Sequence, residues 1–377
     1  MDMIDVKFKE FIKLNRGFDL PNDKMVFGEY PVVASTNIKG FHNNFKVKAP
    51  CVVTGRSGSL GTVQYIINDC VPLNTSLYVK DFKGNLPKYV YYYLKTMHLE
   101  SFNSGAGVPT LNQNHLHNIK LKIHDYSTQQ KVADILSAYD DLIENNNQRI
   151  DLLEKAAQNL YKEWFVRFRF PNHKQTKFEK GLPKGWEARR LSEIVNTQYG
   201  YTASAESDEV GPKFLRITDI AQEKLMWDNV PYCKIESKDI LKYLIEPGDI
   251  LVARTGATAG YAKRINKKSP EAVFASFLVR LKPLDKKLSL MIGMVVESEQ
   301  YKGFIQAIAT GAAQPQANAK LLTLFSMVVP DNSTIDMFNS IVEPMKDKLE
   351  NLQNQNSNLI KQRDLLLPRL MSGNLEL

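Results

Sequence analysis

Two long stretches of the chain place apolar residues at alternating spacings of four and three, and the second repeats the first 206 positions later without a gap. A stripe that recurs every 3.5 residues is typical of a helix that buries one seam against another helix. The stripes are Val132, Leu136, Tyr139, Ile143, Asn146, Ile150, Leu153, Ala157, Leu160 and Trp164, and Phe338, Val342, Met345, Leu349, Leu352, Asn356, Leu359, Arg363, Leu366 and Leu370. The pattern predicts two long helices that pair with each other, although a helix on an ordinary globular core would also carry an apolar stripe.

Capping residues and helix breakers mark the predicted ends of these helices. Ser127 with Gln130 has the spacing of a capping box, and the pair Ser333 and Asp336 repeats it. Pro171 would stop the first helix, and Gly373 would form the left-handed end of the second helix. We therefore expect helices over 127–170 and 333–373, the first about 60 Å long.

The two asparagines in the stripes suggest the register of the pair. If the helices are antiparallel and Asn146 faces Asn356, then Trp164 faces Phe338 and the apolar seams match from end to end. Parallel pairing would place Asn146 against Leu352 and leave a buried amide without a partner, which is costly. We therefore expect an antiparallel pair.

Two globular regions, 1–126 and 186–332, precede the two helices, and a polar linker at 171–185 joins the halves. Corresponding segments lie 183 positions apart at Gly17 and Gly200, 198 apart at Arg56 and Arg254, and 206 apart throughout the helices. The first region should contain a short opening helix over 8–14, strands over 31–38, 51–54, 62–67, 76–79 and 119–123, and a helix over 86–97. The chain is thus predicted to be an α+β protein with two duplicated globular domains, separated by a long antiparallel helical coiled coil and related by a pseudo-two-fold axis.

Composition narrows the class of protein. A length of 377 residues predicts two or three domains, and a hydrophobic content of 43% is enough to fill them. The net charge of +8 suits an anionic partner such as nucleic acid. Three cysteines do not form a disulfide framework, and neither a signal peptide nor an apolar run of membrane-spanning length is present. We expect a cytoplasmic protein without a membrane partner.

The sequence contains no recognisable catalytic constellation. It lacks a phosphate-binding loop, a dinucleotide fingerprint and a methyltransferase motif. His115 and His117 have no further ligands nearby, so a metal site is not expected. The sequence therefore favours a binding protein that holds no cofactor of its own over an enzyme.

Four motifs, taken together, carry a resemblance to a known family. They are Gly-Asp-Ile-Leu-Val-Ala-Arg-Thr-Gly-Ala-Thr-Ala-Gly at 248–260, Gly-Ala-Ala-Gln-Pro-Gln-Ala-Asn at 311–318, Leu-Tyr-Lys-Glu-Trp-Phe at 160–165, and Leu-Leu-Leu-Pro-Arg-Leu-Met-Ser-Gly at 365–373. With them, the whole chain resembles the specificity subunit of type I restriction-modification systems. The first domain is more divergent, because its loop at 55–61 is one residue shorter than its counterpart.

The resemblance implies two target-recognition domains, each of which reads one half of a bipartite double-stranded DNA sequence. It also implies that the helices bind two methyltransferase subunits, which carry S-adenosylmethionine, and that an endonuclease and translocase subunit with ATP can join the complex. The predicted helix length would span about one and a half to two turns of B-DNA. That length suits two half-sites separated by unread base pairs.

Candidate DNA-contacting residues divide into shared and unshared positions. Arg56 with Ser57 and Arg254 with Thr255 occur in both domains, where each arginine could contact phosphate or guanine or could simply brace a turn. Unshared candidates in the first domain are Asn37, Lys39, Asn43, Asn44, Lys46 and Asn114. Those in the second domain are Arg216, Thr218, Asp219, Gln314, Gln316 and Lys320. Asn112 is also a candidate, although its counterpart Asn318 indicates that both could cap a helix instead.

Two other interpretations remain open from the sequence. The duplicated domains could bind protein, with the helices as an assembly scaffold, or the chain could be an enzyme in its own right. Salt-dependent, sequence-specific duplex binding would favour the recognition subunit. Modification by the isolated chain would favour the enzyme.

Overall fold

The computed structural model describes residues 3–105, 107–222, 224–309 and 317–375. The chain folds as two units, and each is built from both halves of the sequence. Unit 1 comprises residues 1–150 and 351–377, and unit 2 comprises residues 151–350. Residues of both long helices therefore belong to the cores of the units, whereas the sequence division treats 127–170 and 333–373 as separate spacer segments.

Unit 1 begins with short strands and ends in a long helix. Its elements are β1 (Ile4–Lys7), α1 (Phe8–Phe11), β2 (Lys13–Arg16), β3 (Tyr30–Val33), β4 (Ile38–His42), β5 (Cys51–Gly55), β6 (Val63–Ile66), β7 (Val71–Pro72), β8 (Ser76–Asp81), α2 (Pro87–Thr96), α3 (Gln113–Leu116), β9 (Lys120–Ile123) and α4 (Tyr126–Tyr161), of which α4 continues beyond residue 150. A four-stranded antiparallel sheet, β2-β8-β5-β6, forms its centre.

Unit 2 repeats this order with different insertions. Its elements are β10 (Phe178–Glu179), β11 (Leu182–Pro183), β12 (Glu187–Arg190), β13 (Val195–Tyr199), β14 (Lys213–Leu215), α5 (Ile217–Ile220), α6 (Ser237–Tyr243), β15 (Ile250–Ala253), β16 (Ala262–Arg264), β17 (Ala272–Phe274), β18 (Leu278–Pro283), α7 (Ser289–Val296), α8 (Glu299–Ile308), α9 (Ala319–Leu322), β19 (Ser326–Val329) and α10 (Asn332–Met371), whose last part belongs to unit 1. The predicted linker contains the β10–β11 pair.

The two units share one sheet topology. The sheet β13-β18-β15-β16 matches β2-β8-β5-β6, the pair β12-β19 matches β1-β9, and the parallel pair β14-β17 matches β3-β7. The additional strand in unit 1 is β4, which pairs with β3. The two units therefore share one arrangement of strands, which we call the frame, and they differ next to the parallel strand pair.

The strand registers reproduce the offsets seen in the sequence. Ile4 pairs with Ile123 and Glu187 pairs with Val329, which are offsets of 183 and 206. Likewise, Gly17 and Gly200 each lie against the carbonyl of a neighbouring strand end, where an added Cβ would approach a backbone oxygen to 2.2 Å. Glycine is therefore required at this point of both units.

The capping residues of the long helices lie two positions before the predicted caps. The N-terminus of α4 is capped by Asp125, which accepts from the backbone N–H of Thr128 at 3.0 Å, and α10 is capped in the same way by Asp331 and Thr334 at 3.0 Å. The predicted capping boxes at Ser127 and Ser333 are therefore wrong. A carboxylate placed before the first turn is an equally good acceptor for the free amides.

The ends of the two helices differ in how well the sequence located them. α4 ends at Tyr161 and continues as a π-helix to Val166, so its predicted end at residue 170 is wrong. α10 ends at Met371, and Gly373 has φ +74° at the predicted left-handed position. A left-handed glycine therefore sets the end of α10, whereas a turn with wider, π-helical hydrogen bonds ends α4 before Pro171 is reached.

Two smaller elements of unit 1 also differ from prediction. The strand expected over 31–38 is a β3–β4 hairpin, because Ala34 N–H bonds to the carbonyl of Asn37 at 2.8 Å and reverses the chain at polar turn residues. The opening helix stops at Phe11, and Leu14 instead pairs with Val79 in the sheet. In both places a tertiary strand pairing overrides a local pattern.

The aromatic face of α2 lies in the core of unit 1. Tyr89 and Tyr92 are fully buried, and Tyr93 is nearly so. Burial raises the pKa of Tyr92, and its hydroxyl donates to Asp140 Oδ2 at 2.6 Å. These tyrosines therefore pack the domain core.

Candidate nucleic-acid interface

In unit 1, the turn after β5 is held by its arginine. Arg56 N–H bonds to the Thr75 carbonyl at 2.8 Å, and Arg56 Nη1 donates to the Asn74 carbonyl at 3.3 Å. The Arg56 carbonyl accepts from Leu111 N–H at 2.8 Å, and the neighbouring Ser57 N–H also bonds to Thr75 at 3.0 Å. Arg56 and Ser57 are half-buried. The arginine therefore joins three loops at one end of the sheet.

Unit 2 contains the same arrangement at equivalent positions. Arg254 N–H bonds to the Phe277 carbonyl at 3.1 Å, Arg254 Nε donates to the Ser276 carbonyl at 3.1 Å, and the Arg254 carbonyl accepts from Ala317 N–H at 2.8 Å. The guanidinium also lies over the ring of Tyr199, 5.2 Å from the centroid. Thr255, the next candidate, is half-buried.

Bracing by these arginines is compatible with DNA contact. A guanidinium has five N–H donors, and bracing uses one in each unit. Both side chains remain half-exposed, so they can still offer donors to a phosphate or a guanine edge. Of the two alternatives that the sequence leaves open, the bracing contact is present in both units, and the DNA contact remains a prediction.

The asparagines near residues 112 and 318 cap short helices. Asn112 accepts from Asn114 N–H at 3.0 Å at the start of α3, and Asn318 accepts from Leu321 N–H at 2.9 Å at the start of α9. Asn112, Asn114 and Lys320 are exposed. Asn112 therefore serves the helix cap that the sequence offered as an alternative, while Asn114 and Lys320 remain available to a ligand. Gln314 and Gln316 lie outside the described residues.

The remaining unit 1 candidates lie on or beside the β3–β4 hairpin. Asn37, Lys39, Asn43, Asn44 and Lys46 are all exposed. Lys39 Nζ donates to Asn22 Oδ1 at 2.6 Å, and the backbone of Lys46 bonds to Cys70 at 3.0 Å. The hairpin thus presents amides and ammonium groups from an ordered backbone.

In unit 2, the corresponding position after the parallel strand is helical. Asp219 accepts from the backbone N–H of Arg216 at 2.8 Å and from its guanidinium at 2.9 and 3.1 Å. The hydrogen bonds that the Arg216 guanidinium donates to Asp219 raise the pKa of Arg216. Because Asp219 is only 6% exposed, its carboxylate caps α5 and holds Arg216 instead of facing solvent, while Thr218 is exposed.

The predicted helix-pairing residues are all buried or half-buried. They are Leu136, Tyr139, Ile143, Asn146, Ile150, Leu153, Leu160 and Trp164 on α4, and Val342, Met345, Leu349, Leu352, Asn356, Leu359 and Leu366 on α10. Within unit 1, Asn146 Nδ2 donates to Asn356 Oδ1 at 2.9 Å. Within unit 2, the rings of Trp164 and Phe338 lie 5.8 Å apart. Both contacts join residues that the antiparallel register places opposite each other.

Comparison with known proteins shows what this chain is similar to. The model for the type I restriction modification DNA specificity domain matches residues 2–155. The chain is 26% identical over 325 residues to the MjaIX specificity subunit of Methanocaldococcus jannaschii, which covers 81% of this chain and 73% of the relative. It is 21% identical over 328 residues to the HindI specificity subunit of Haemophilus influenzae, covering 70% and 71%.

The chain is similar to type I specificity subunits over most of its length. The fold agrees, since the crystal structure of a type I S subunit from M. genitalium matches with a TM-score of 0.70 at 15% identity, over 98% of this chain and 96% of that one.

Sequence reasoning missed two aromatic residues of this chain beside Arg254. Tyr199 lies under the guanidinium, and its hydroxyl accepts from Ala319 N–H at 3.0 Å. Phe277, whose carbonyl binds Arg254, has a side chain that is 56% exposed. The signal that could have found Phe277 is its position in the repeat. Ser276 is the counterpart of Asn74, so Phe277 occupies the position that Thr75 has in unit 1. An exposed aromatic residue in one unit alone is a candidate for base contact.

Two other kinds of feature are absent from the parts of the chain that the structure describes. Among those residues, no group of three or more His, Cys, Asp or Glu side chains is arranged to hold a metal ion. The helices searched there include none that is both long and apolar enough to span a bilayer. The geometry available is therefore that of exposed amide, cationic and aromatic groups at the loop ends of two similar sheets.

Proposed function

We propose that this chain is the DNA sequence-specificity subunit of a type I restriction-modification complex, and that each unit reads one half of a bipartite duplex target. One observation carries the proposal. The same frame, with the same arginine turn, continues after its parallel strand into a β-hairpin in unit 1 and into helices in unit 2. A shared frame can position both units on the DNA backbone, and the differing segments can read different bases.

The chemistry of the exposed groups suits this division of roles. Arg56 and Arg254 sit at equivalent places and would contact phosphate or guanine in both half-sites. Asn43 and Asn44 in unit 1 offer amides, which pair well with adenine. Arg216 in unit 2 is held in one orientation by Asp219, as a base-reading guanidinium must be. The net charge of +8 supports an anionic partner.

We also infer how the long helices contribute. Both α4 and α10 contribute residues to both units, and we propose that they set the number of unread base pairs between the half-sites. Their exposed faces would bind two methyltransferase subunits, which would carry S-adenosylmethionine, and an endonuclease subunit with ATP would join the same complex. In this proposal the chain selects the sequence and its partners perform the chemistry.

The test is a genome-wide map of methylated bases in cells that express the neighbouring methyltransferase with or without this chain. A two-part motif with a fixed gap, lost when the chain is absent, is the expected result. The double variant Asn43→Ala/Asn44→Ala should then relax one half of that motif and leave the other unchanged. A methylation pattern that does not depend on the chain would instead favour a protein-binding scaffold, and methylation by the purified chain alone would show an enzyme.

A further inference from the structure

Phe27 is the most exposed large apolar side chain among the residues that the structure describes. Its exposure is 89%, although the residue lies between β2 and β3 in the interior of unit 1's sequence. A free phenylalanine in water carries an unfavourable free energy of hydration. The exposure of this ring is therefore explained by how the backbone on each side of it is held.

The backbone on both sides of Phe27 is fixed to the β3–β4 hairpin. Val26 N–H bonds to His42 Nδ1 at 3.2 Å, and the Val26 carbonyl accepts from Asn43 N–H at 3.0 Å. On the other side, Gly28 lies so close to Asn43 that an added Cβ would be 2.3 Å from its Cα. The chain thus projects the ring outward from a rigid base.

The groups around this base combine amides, a lysine and exposed apolar side chains. Asn43, which binds Val26, is followed by Asn44, and both are exposed. Lys39 and Phe41 lie on β4 of the same hairpin and are also exposed, and Val26 itself is 55% exposed. Amides and lysines suit base edges and phosphates, and apolar side chains beside them suit an opened base step.

We propose that Phe27 is a wedge that partly inserts between two base pairs of the half-site read by unit 1. This inference rests on the proposed function and adds a specificity-determining residue to it. Apolar side chains that enter a base step unstack it and kink the duplex, so they favour steps that deform easily. Phe27 would thereby select a flexible base step next to the bases that Asn43 and Asn44 contact.

The experiment uses the complex of this chain with its methyltransferase, after the methylation map has supplied the motif. Duplexes carry 2-aminopurine at successive positions of each half-site, because its fluorescence rises when stacking is lost. The wild-type complex should give a rise at one step in one half-site only. Phe27→Ala should abolish that rise and weaken binding by about tenfold to a hundredfold, and Phe27→Trp should retain both.

Phe178→Ala is the matched control, because Phe178 is a half-exposed phenylalanine on the β10–β11 pair. It should leave fluorescence and affinity unchanged. Unchanged fluorescence and affinity for Phe27→Ala would overturn the inference, as would loss of methyltransferase from the Phe27→Ala complex before DNA is added, which would assign the ring to a protein contact. If the map shows no chain-dependent motif, the proposed function fails first and the inference falls with it.

Discussion

Asn146 and Asn356 are hydrogen-bonded through their side chains, with 2.9 Å between Nδ2 of Asn146 and Oδ1 of Asn356. They are 1% and 6% exposed. Asn356 Nδ2 in turn donates to Asn147 Oδ1 at 3.0 Å and lies 3.4 Å from the Ile143 carbonyl. A buried amide pair of this kind is satisfied in one register only, so it fixes how the helices of unit 1 align.

This pair predicts a stability change that depends on both residues. Asn356→Leu should lower the free energy of unfolding by about 1–3 kcal/mol, because it leaves the buried Asn146 amide without its partner. The double variant Asn146→Leu/Asn356→Leu should recover most of that loss, since two apolar side chains can pack together. Urea unfolding of the wild type, Asn146→Leu, Asn356→Leu and the double variant measures the coupling, and additive effects would show that the hydrogen bond does not determine the register.

The cap of α10 predicts how stability changes at acid pH. Desolvation raises the pKa of Asp331, but hydrogen bonds from Thr334 and Trp186 outweigh it and hold the pKa below its ordinary value of 3.8. A carboxyl with a lowered folded-state pKa stabilises the fold above the unfolded pKa, and this stabilisation disappears as the pH falls. Unfolding free energies measured between about pH 5 and pH 2 should therefore decline less steeply in Asp331→Asn.

Glu187→Gln provides the control for the acid titration, because Glu187 is an exposed carboxylate in the same unit. Its profile should follow that of the wild type. Indole fluorescence reports the same event, since Trp186 Nε1 donates to Asp331 Oδ2 at 3.0 Å. A wild-type pH slope in Asp331→Asn would contradict the role of this cap.

The helix seam predicts a contrast between neighbouring leucines. Leu153 is half-buried on the stripe, whereas Leu152 is 66% exposed. Leu153→Asp should disrupt the pairing of α4 with α10 and abolish assembly with the methyltransferase, because a carboxylate cannot be buried there without a partner. Leu152→Asp should assemble normally. Size-exclusion chromatography of co-expressed subunits distinguishes them, and normal assembly by both variants would count against the coiled-coil seam.

The arginine turns predict a loss of DNA affinity. Arg254→Ala should weaken binding of the mapped duplex by about 1–3 kcal/mol if the guanidinium reads a base edge, and Arg56→Ala should do the same in the other half-site. Fluorescence anisotropy at several salt concentrations measures both. Tyr199→Phe is the control, because it keeps the ring beneath Arg254 and removes only the hydroxyl that accepts from Ala319. Unchanged affinity in Arg254→Ala would leave it as a turn brace alone.

The helices predict the gap in the DNA target. Seven residues inserted between Ile150 and Asp151, together with seven between Asn351 and Leu352, keep the heptad register on both helices. Each insertion adds about 10.5 Å of helix, which is about three base pairs of B-DNA. The methylated motif should keep both half-sites and lengthen its gap by that amount. An unchanged gap would show that the helices do not set the spacing.

Much of the fold follows from sequence periodicity and the internal repeat. The stripes located both helices and placed Asn146 opposite Asn356, because a seam with few polar positions has few good registers. The offsets of 183 and 206 reappear in the pairings of β1 with β9 and of β12 with β19. The caps were missed by two residues, since serine and aspartate compete for the same backbone amides and the sequence does not say which is nearer.

Local patterns failed where distant strands compete with them. The turn at 34–37 divides a predicted strand because β3 also pairs in parallel with β7, which the sequence places about 40 positions later. Asp219 resembled a base-reading group because its polarity was visible, but its burial and its bonds to Arg216 were not. Polarity alone does not reveal whether a side chain has an internal partner.

The sequence by itself located the two long helices and placed Asn146 opposite Asn356, because these depend on regular spacing of apolar residues along the chain. Only the tertiary structure decided which exposed groups lie together. It placed Tyr199 and Phe277 beside Arg254. It also fixed Val26 and Gly28 to Asn43, so that the side chain of Phe27 is exposed to solvent. Such neighbours meet through loops that have no period, so their proximity is set by the packing of the sheets that carry them.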